Sequence, residues 1–380
     1  MQKQFKFYTP ILFLLLGLFS CSPPTEIQGE EQIFRLCFEA SCMRELLIQE
    51  MNSSHTSIKG AVYGFSDKEI AQALINAVYR GVKIELVSDY DSENHWAFQR
   101  LLELKYRGDF FNLIHIKFGN NAGIMHNKYW IFDKHTVITG STNLTDGLDT
   151  HFNNMIGIKS PSLAHLFLSD FTCMQEEELF ASAKNSCTQP YDWIYQENSM
   201  QNLQVQVFFT PYKARYPSTY FDDPETPIED PLELNYSNAL GSKIIPLLEN
   251  AQKSIWVLAY SLTDKIFVYA LQQAFLRGVK VRVWMDRGQF NSSYSHAGTR
   301  IEQLAKTISF LKITAKPEGV LHHKVIIIDD NIVILGSLNF SVAAVTDNDE
   351  NFLILKNAKS LAKAFYQEMA KIDGVSRFLI

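Results

Sequence analysis

The sequence is short of positive charge, short of cysteine and without a long apolar run. Its 35 lysines and arginines are outnumbered by 41 acidic residues, which leaves a net charge of −6. A generally basic surface, the footprint of non-specific nucleic-acid binding, is therefore absent, although a local basic groove is not excluded. Cysteine occurs five times. No CxxC pair and no histidine-rich cluster points to a metal site, and neither metal nor cofactor is expected. The apolar run at 11–19 is too short to span a bilayer comfortably.

What is present is ordinary for a globular protein: 46% apolar and 20% charged residues in a chain of 380. That length holds two domains with sizeable cores, and the sequence repeats itself once. The pattern His-x-Lys-x4-Asp-x6-Gly-Ser-x-Asn occurs as His126, Lys128, Asp133, Gly140, Ser141 and Asn143, and again as His322, Lys324, Asp329, Gly336, Ser337 and Asn339. Every spacing is the same in the two copies. The repeat extends beyond the motif: Tyr63 and Asp67 match Tyr260 and Asp264, Arg80-Gly81-Val82-Lys83 matches Arg277-Gly278-Val279-Lys280, and Asp89 matches Asp286. So long a period means a duplicated domain and not a solenoid.

The N-terminus reads as a targeting segment. Lys3 and Lys6 precede the apolar run, and Leu18-Phe19-Ser20-Cys21 resembles a bacterial lipoprotein cleavage box with Cys21 as the lipidated residue. Residues 1–20 are then a signal peptide and 21–31 a tether. Removing two lysines takes the net charge from −6 to −8. The expected location is the cell envelope, on the exported side and lipid-anchored. Apart from Cys21, four cysteines remain, an even number in an oxidising setting. Local pairing, Cys37 with Cys42 and Cys173 with Cys187, is one of three connectivities.

Strands and helices alternate. Strands are expected over 58–64, 82–87, 114–118, 129–132 and 136–139, with helices over 68–79, 96–106 and 163–182. The second half repeats the order, with strands over 204–209, 255–260, 279–285, 325–328 and 332–335 and a helix over 268–276. This predicts an α/β fold: two similar domains, 32–200 and 203–380, each a mixed or parallel sheet flanked by helices. Residues 217–231 are proline-rich and acidic, a solvated loop.

In the motif, His and Lys at i and i+2 share one face of a strand and reach one bound group. The lysine offers a point charge to a phosphate oxygen. The glycine lets the backbone come close, and Ser and Asn can donate to the same phosphate. Two copies about a two-fold axis surround one anion. One histidine attacks phosphorus, and the other protonates the leaving oxygen.

These residues resemble the phospholipase D superfamily over roughly 30–380. The resemblance implies His126 and His322 as nucleophile and general acid, with Lys128, Lys324, Ser141, Ser337, Asn143 and Asn339 as phosphate ligands. It counts Asp133 and Asp329 with the catalytic motif, in a role that is usually structural, and it implies an active site at the pseudo-two-fold interface of a monomeric internal dimer. Family members often carry a glutamate after the motif that bonds the histidine ring. Glu350 lies 28 residues past His322, and Asn154 lies 28 past His126, so Glu350 is expected to orient His322 and Asn154 to orient His126. The superfamily's machinery does not fix the substrate, but the lipid anchor and the acidic balance favour a phospholipid at a membrane surface, with a metal-independent phospholipase D releasing a phosphatidylcholine-type headgroup to leave phosphatidic acid. A nucleic-acid endonuclease, a phosphatidyl transferase and a non-catalytic binding lipoprotein remain open. The compact halves and the Cys37–Cys42 segment resemble the superfamily's small nuclease branch, and the transferases' paired N-terminal membrane helices are missing.

Overall fold

The repeated Arg-Gly-Val-Lys segments mark one structural event in each half. A helix starts on an aspartate cap and ends in a left-handed glycine, and the chain turns directly into a strand. In the first half Asp67 accepts from the Ile70 amide and Gly81 has φ +88°. In the second Asp264 accepts from the Phe267 amide and Gly278 has φ +92°. A side chain is strained at that φ, which glycine tolerates. The arginine before each glycine binds a carbonyl of the preceding helix: Arg80 donates to Met51 O (2.6 Å) and Arg277 to Leu248 O (2.9 Å).

The structure is a computed structural model that describes residues 34–108, 110–120, 123–186, 193–196, 203–211, 240–291, 306–308 and 310–378. The segments expected as signal peptide and tether, with Cys21, the stretch 217–231 and Cys187 lie outside the described residues.

The first half runs β1 (Phe34–Cys37), α1 (Ala40–Ser53), β2 (Ser57–Val62), α2 (Lys68–Tyr79), β3 (Lys83–Ser88), α3 (Trp96–Arg107), β4 (Ile114–Phe118), β5 (Lys128–Phe132), β6 (Thr136–Gly140), α4 (Gly147–Thr150), β7 (Met155–Lys159) and α5 (Pro161–Gln175). The second runs β8 (Trp193–Gln196), β9 (Gln204–Thr210), α6 (Ile245–Glu249), β10 (Ser254–Ala259), α7 (Lys265–Leu276), β11 (Lys280–Asp286), α8 (Arg287–Phe290), β12 (Leu311–Thr314), β13 (Lys324–Ile328), β14 (Ile332–Gly336), α9 (Val342–Thr346), β15 (Glu350–Lys356), α10 (Lys359–Asp373) and β16 (Ser376–Phe378).

The sheet orders are β1-β7-β6-β5-β2-β3-β4 and β16-β12-β11-β10-β13-β14-β15-β9-β8. In each, three strands joined through helices pair in parallel, and the motif strands pair antiparallel beside them. The mixed α/β architecture expected twice from the sequence is present twice. Strand β8 pairs with β9, so the second sheet begins before residue 200, earlier than the boundary drawn from sequence. Helix α5 ends at Gln175 and not at 182. Glu176, Glu177 and Glu178 follow, and acidic charge at a helix C-terminus opposes the dipole.

Burial on both sheet faces explains the unbroken apolar runs. Tyr129 and Ile131 of β5 face a core that also holds Val325 and Ile327 of β13, together with Phe167 of α5 and Phe365 of α10. Trp130 and Phe132 face a second core with α1, α2 and α3, and Ile326 and Ile328 face a third with α6 and α7. Helices α5 and α10 therefore fill a layer shared by both sheets, and the described residues form one compact unit. Cys37 and Cys42 form the expected disulfide. No helix among the described residues is long and apolar enough to cross a membrane.

Candidate active site

Each motif histidine is supported by the backbone of the other half. His126 N donates to Asp349 O, and His322 N donates to Phe152 O, both at 2.9 Å. Asp89 and Asp286, matched in the repeat, each fix the residue before a histidine: Asp89 accepts from the Met125 amide (2.8 Å) and Asp286 from the Leu321 amide (3.1 Å). Behind them, Gly140 and Gly336 pass so close to Asn154 O and Asn351 O that a Cβ would lie 2.2 and 2.3 Å from those carbonyls. The glycine of Gly-Ser-x-Asn is needed for this approach.

The orienting residues differ from those expected. His126 Nδ1 lies 2.7 Å from Glu350 Oε1, and His322 Nδ1 lies 3.0 Å from Asn153 Oδ1. Glu350 thus serves the histidine of the opposite half. Asn154 serves neither, because its Nδ2 bonds His323 Nδ1 at 2.8 Å. A fixed offset misplaced the pair because the connecting loop is one residue longer in the second half. Asn339 to Glu350 is eleven steps, whereas Asn143 to Asn153 is ten. The Ser141 and Ser337 amides accordingly bond Asn154 O and Asn351 O. With Nδ1 engaged, each ring turns its Nε2 to the site.

Tyr63 and Tyr260 pack edge-on against His126 and His322 at 5.0 and 4.8 Å. Their faces carry Lys128 Nζ (5.2 Å) and Lys324 Nζ (4.8 Å). Each lysine also donates to the carbonyl of its motif histidine, at 2.6 and 2.8 Å. Among the described residues neither has a carboxylate within ion-pair distance. Burial pushes the Lys128 ammonium down to about 7, against the fields of Glu350 and Asp89. Burial, then Lys128, pushes Lys324 well down. Both imidazoles are pushed well below the ordinary histidine value by burial, then by the two lysines. Burial raises the Glu350 carboxyl to about 8, although Lys128 and Lys324 oppose it. Every group here is held toward its uncharged form, and a bound anion would reverse this for the four bases.

Asn143 lines a pocket with Tyr63, Lys128 and Gly140. Among the described residues, the buried side-chain carbonyls of Asn143 and Asn339 meet no hydrogen-bond partner. Ser141 and Ser337, expected to hold phosphate, do other work. Both are fully buried. Ser141 Oγ donates to Asn153 Oδ1 and accepts from the Asn154 amide, each at 3.0 Å. Ser337 Oγ accepts from the Asn351 amide at 3.0 Å. Asp133 and Asp329 lie at the far end of β5 and β13, about 17 Å along the strand from the lysines at 3.3 Å per residue. Their carboxylates accept from His55, Thr56 and Ser57 amides and from Gln252, Lys253 and Ser254 amides. Burial raises both carboxyls, and these donors outweigh it, leaving both below the usual value. They are structural caps and not catalytic groups. Asn153 was missed by counting, and only the adjacent Asn-Met and Asn-Phe pairs at 154–155 and 351–352 could have set the register.

Two stretches, 47–174 and 244–372, match the family described as "Cardiolipin synthase, PLD-like domain", and together they exceed half of the chain. A phospholipase D of Rickettsia prowazekii is 37% identical over 124 residues, covering 33% of this chain and 58% of the relative. The chain thus spans just over half the length of that relative. A cardiolipin synthase of Clostridium perfringens is 23% identical over 359 residues, covering 88% of this chain and 70% of the relative. The crystal structure of a phosphatidylserine synthase from Haemophilus influenzae superimposes with a TM-score of 0.68 at 12% identity, covering 92% and 88% of the two chains. That likeness is one of fold.

Proposed function

The chain belongs to the phospholipase D superfamily, and from that premise we propose that it breaks phosphodiester bonds through a phosphohistidine, acting as a phospholipase D on membrane phospholipid. The observation that carries this reading is a pair of buried lysines with no carboxylate at ion-pair distance among the described residues, set beside two histidines whose Nδ1 atoms are engaged. A phosphodiester monoanion supplies the missing charge. Lys128, Lys324, Asn143 and Asn339 hold its oxygens.

His126 Nε2 attacks phosphorus. The P–N bond forms, the P–O bond to the headgroup breaks, and the leaving oxygen takes the proton from His322 Nε2. The phosphorylated imidazole is cationic, and Glu350 offsets that charge. His322, backed by the neutral amide of Asn153, holds its proton less tightly and releases it more readily. Water then gives a proton to His322 and attacks phosphorus, and the P–N bond breaks. Phosphatidic acid leaves and both histidines return to their starting state. The nucleophile remains His126, in the order that the resemblance implied.

An alcohol in place of water would make the same intermediate a source of phosphatidyl transfer. The likeness to a cardiolipin synthase over 88% of this chain favours keeping that second reading. Cys21 and the segment before it support export and lipid anchoring, which would hold the site beside a bilayer at high effective concentration. The test is headgroup release from phosphatidylcholine vesicles and nicking of plasmid DNA, in parallel, at near-physiological salt with chelator present. Headgroup release should dominate. Rapid nicking without headgroup release would hand the site to nucleic acid. A product containing added glycerol instead of phosphatidic acid would make it a transferase.

A further inference from the structure

His126 hangs on one residue of the opposite half. Asp349 N donates to Ile124 O, and Asp349 O accepts from His126 N, both at 2.9 Å. Met125 and Asp349 thus form an isolated β-bridge. The next residue, Glu350, meets the His126 ring. Whatever holds Asp349 therefore holds both the backbone and the ring partner of this histidine.

A buried ion triad holds it. A short 3₁₀ turn, Ala181–Ser186, follows α5. Its first amide, Ala181 N, donates to both carboxylate oxygens of Asp349, at 3.0 and 3.1 Å. Lys184 Nζ, from the same turn, lies 3.1 Å from Asp349 Oδ1 and 2.5 Å from Asp170 Oδ1 of α5. Tyr129 of β5 donates to Asp170 Oδ2 at 2.9 Å. Tyr129, Asp170, Lys184 and Asp349 are all buried. An ammonium and two carboxylates withdrawn from water persist where they pair with one another. The triad thereby ties α5, β5 and the turn to the start of β15.

The other histidine is carried without charge. Phe152 stands where Asp349 does: its amide donates to Val320 O and its carbonyl accepts from His322 N. Glu368 is the tenth residue of α10, as Asp170 is of α5. It lies 3.3 Å from Lys371 of its own helix and 4.0 Å from His323 Nε2. Helix α10 runs on into β16 and not into a lysine-bearing turn. Among the described residues, the triad stands behind His126 and has no counterpart behind His322.

We propose that Lys184 is a positioning residue for the nucleophile. Through Asp349 it fixes Glu350 against His126, and its charge helps to keep Glu350 an anion. This role rests on the reading of His126 as the nucleophile of a phosphodiesterase. The groups that face Glu350 are His126, Lys128, Ser337, Lys324 and Lys184. Burial raises the Glu350 carboxyl, and the last four draw it down. Without Lys184 the carboxyl rises further, so Glu350 becomes an anion only at higher pH. Attack by His126 Nε2 forms the P–N bond and leaves the ring cationic. The rate of that step should follow the ionised fraction of the carboxylate that balances it.

The test uses the full chain and bis(4-nitrophenyl) phosphate. Its leaving group departs as the phenolate and needs no proton, so the burst reads the attack of His126 alone. Lys184→Met should slow the burst roughly tenfold to a hundredfold, as for a misplaced reacting group, with KM little changed. It should also move the acid limb of the burst rate to higher pH. Lys184→Arg keeps the charge and should restore the limb and most of the rate. The methionine variant leaves two buried aspartates without their cation. Asp170→Asn combined with Lys184→Met removes one charge of each sign, guards against misfolding and should show the same shifted limb. Nitrogen-15 NMR of the His126 ring reads the geometry without turnover. Its Nδ1 proton should show the downfield shift of a bond to a carboxylate in wild type and in Lys184→Arg, and lose it in Lys184→Met. A lower urea midpoint with burst rate, limb and ring signal unchanged would reduce Lys184 to a structural role and overturn the proposal. A wild type that cleaves no phosphodiester, yet whose ring signal depends on Lys184, would overturn the phosphodiesterase reading and uphold the positioning.

Discussion

A histidine backed by a carboxylate and a histidine backed by an amide do not exchange roles freely. Glu350 can balance a cation that persists through an intermediate, whereas Asn153 cannot. With a leaving group that needs no proton, His322→Ala should therefore keep a burst of one turnover and trap phosphate on residue 126, and His126→Ala should show no burst. Mass spectrometry of the quenched enzyme reads this, and phosphate on His322 would reverse the roles. Lys128 gives a second test. Its ammonium, pushed down to about 7 by burial, is charged below that pH and neutral above it. Affinity for an anion should then fall as pH rises through about 7 in the free enzyme, so kcat/KM should decline there, which forms its alkaline limb. A guanidinium stays protonated, so Lys128→Arg should move that limb to higher pH even if the rate is lower. An unmoved limb would assign it to another group. The lysines, asparagines and histidines were legible because their spacing is fixed within one motif. The partners of the histidines were not, because they come from the opposite half, across loops that differ by one residue.

At the scale of elements, the far turn of each motif hairpin is held by a single carboxylate. Asp133 and Asp329 sit at φ +48° and +53°, positions that cost a non-glycine residue energy. The amides they bind belong to the start of β2 and β10. Asp133→Ala should lose about 2–3 kcal/mol of stability, the scale for several hydrogen bonds to one charged acceptor, while the pH profile of the surviving activity stays put. Urea titration with parallel kinetics measures both, and a shifted profile would return Asp133 to the chemistry. The strands and helices of the repeated units were readable because their apolar periods, aspartate caps and terminal glycines agree. Strand β1, four residues long and paired with β7 alone, offers too short a pattern to read. The end of α5 turned on three glutamates whose effect on a helix terminus was outweighed, in the sequence, by the apolar run before them.

For the whole molecule, the crossed bonds His126–Asp349 and His322–Phe152 have a genetic meaning. A chain lacking His126 and a chain lacking His322 each carry one sound motif. Yet the sound motif's partner half is tethered to it in the same polypeptide. Co-expressing the two dead variants should therefore restore no activity, and a defect in either half should behave as a defect in the whole gene. Recovered turnover in the mixture would mean that halves trade places between chains. Where they do not, neither motif can be lost, borrowed or replaced on its own. The two copies, once free to diverge after duplication, are bound to change together.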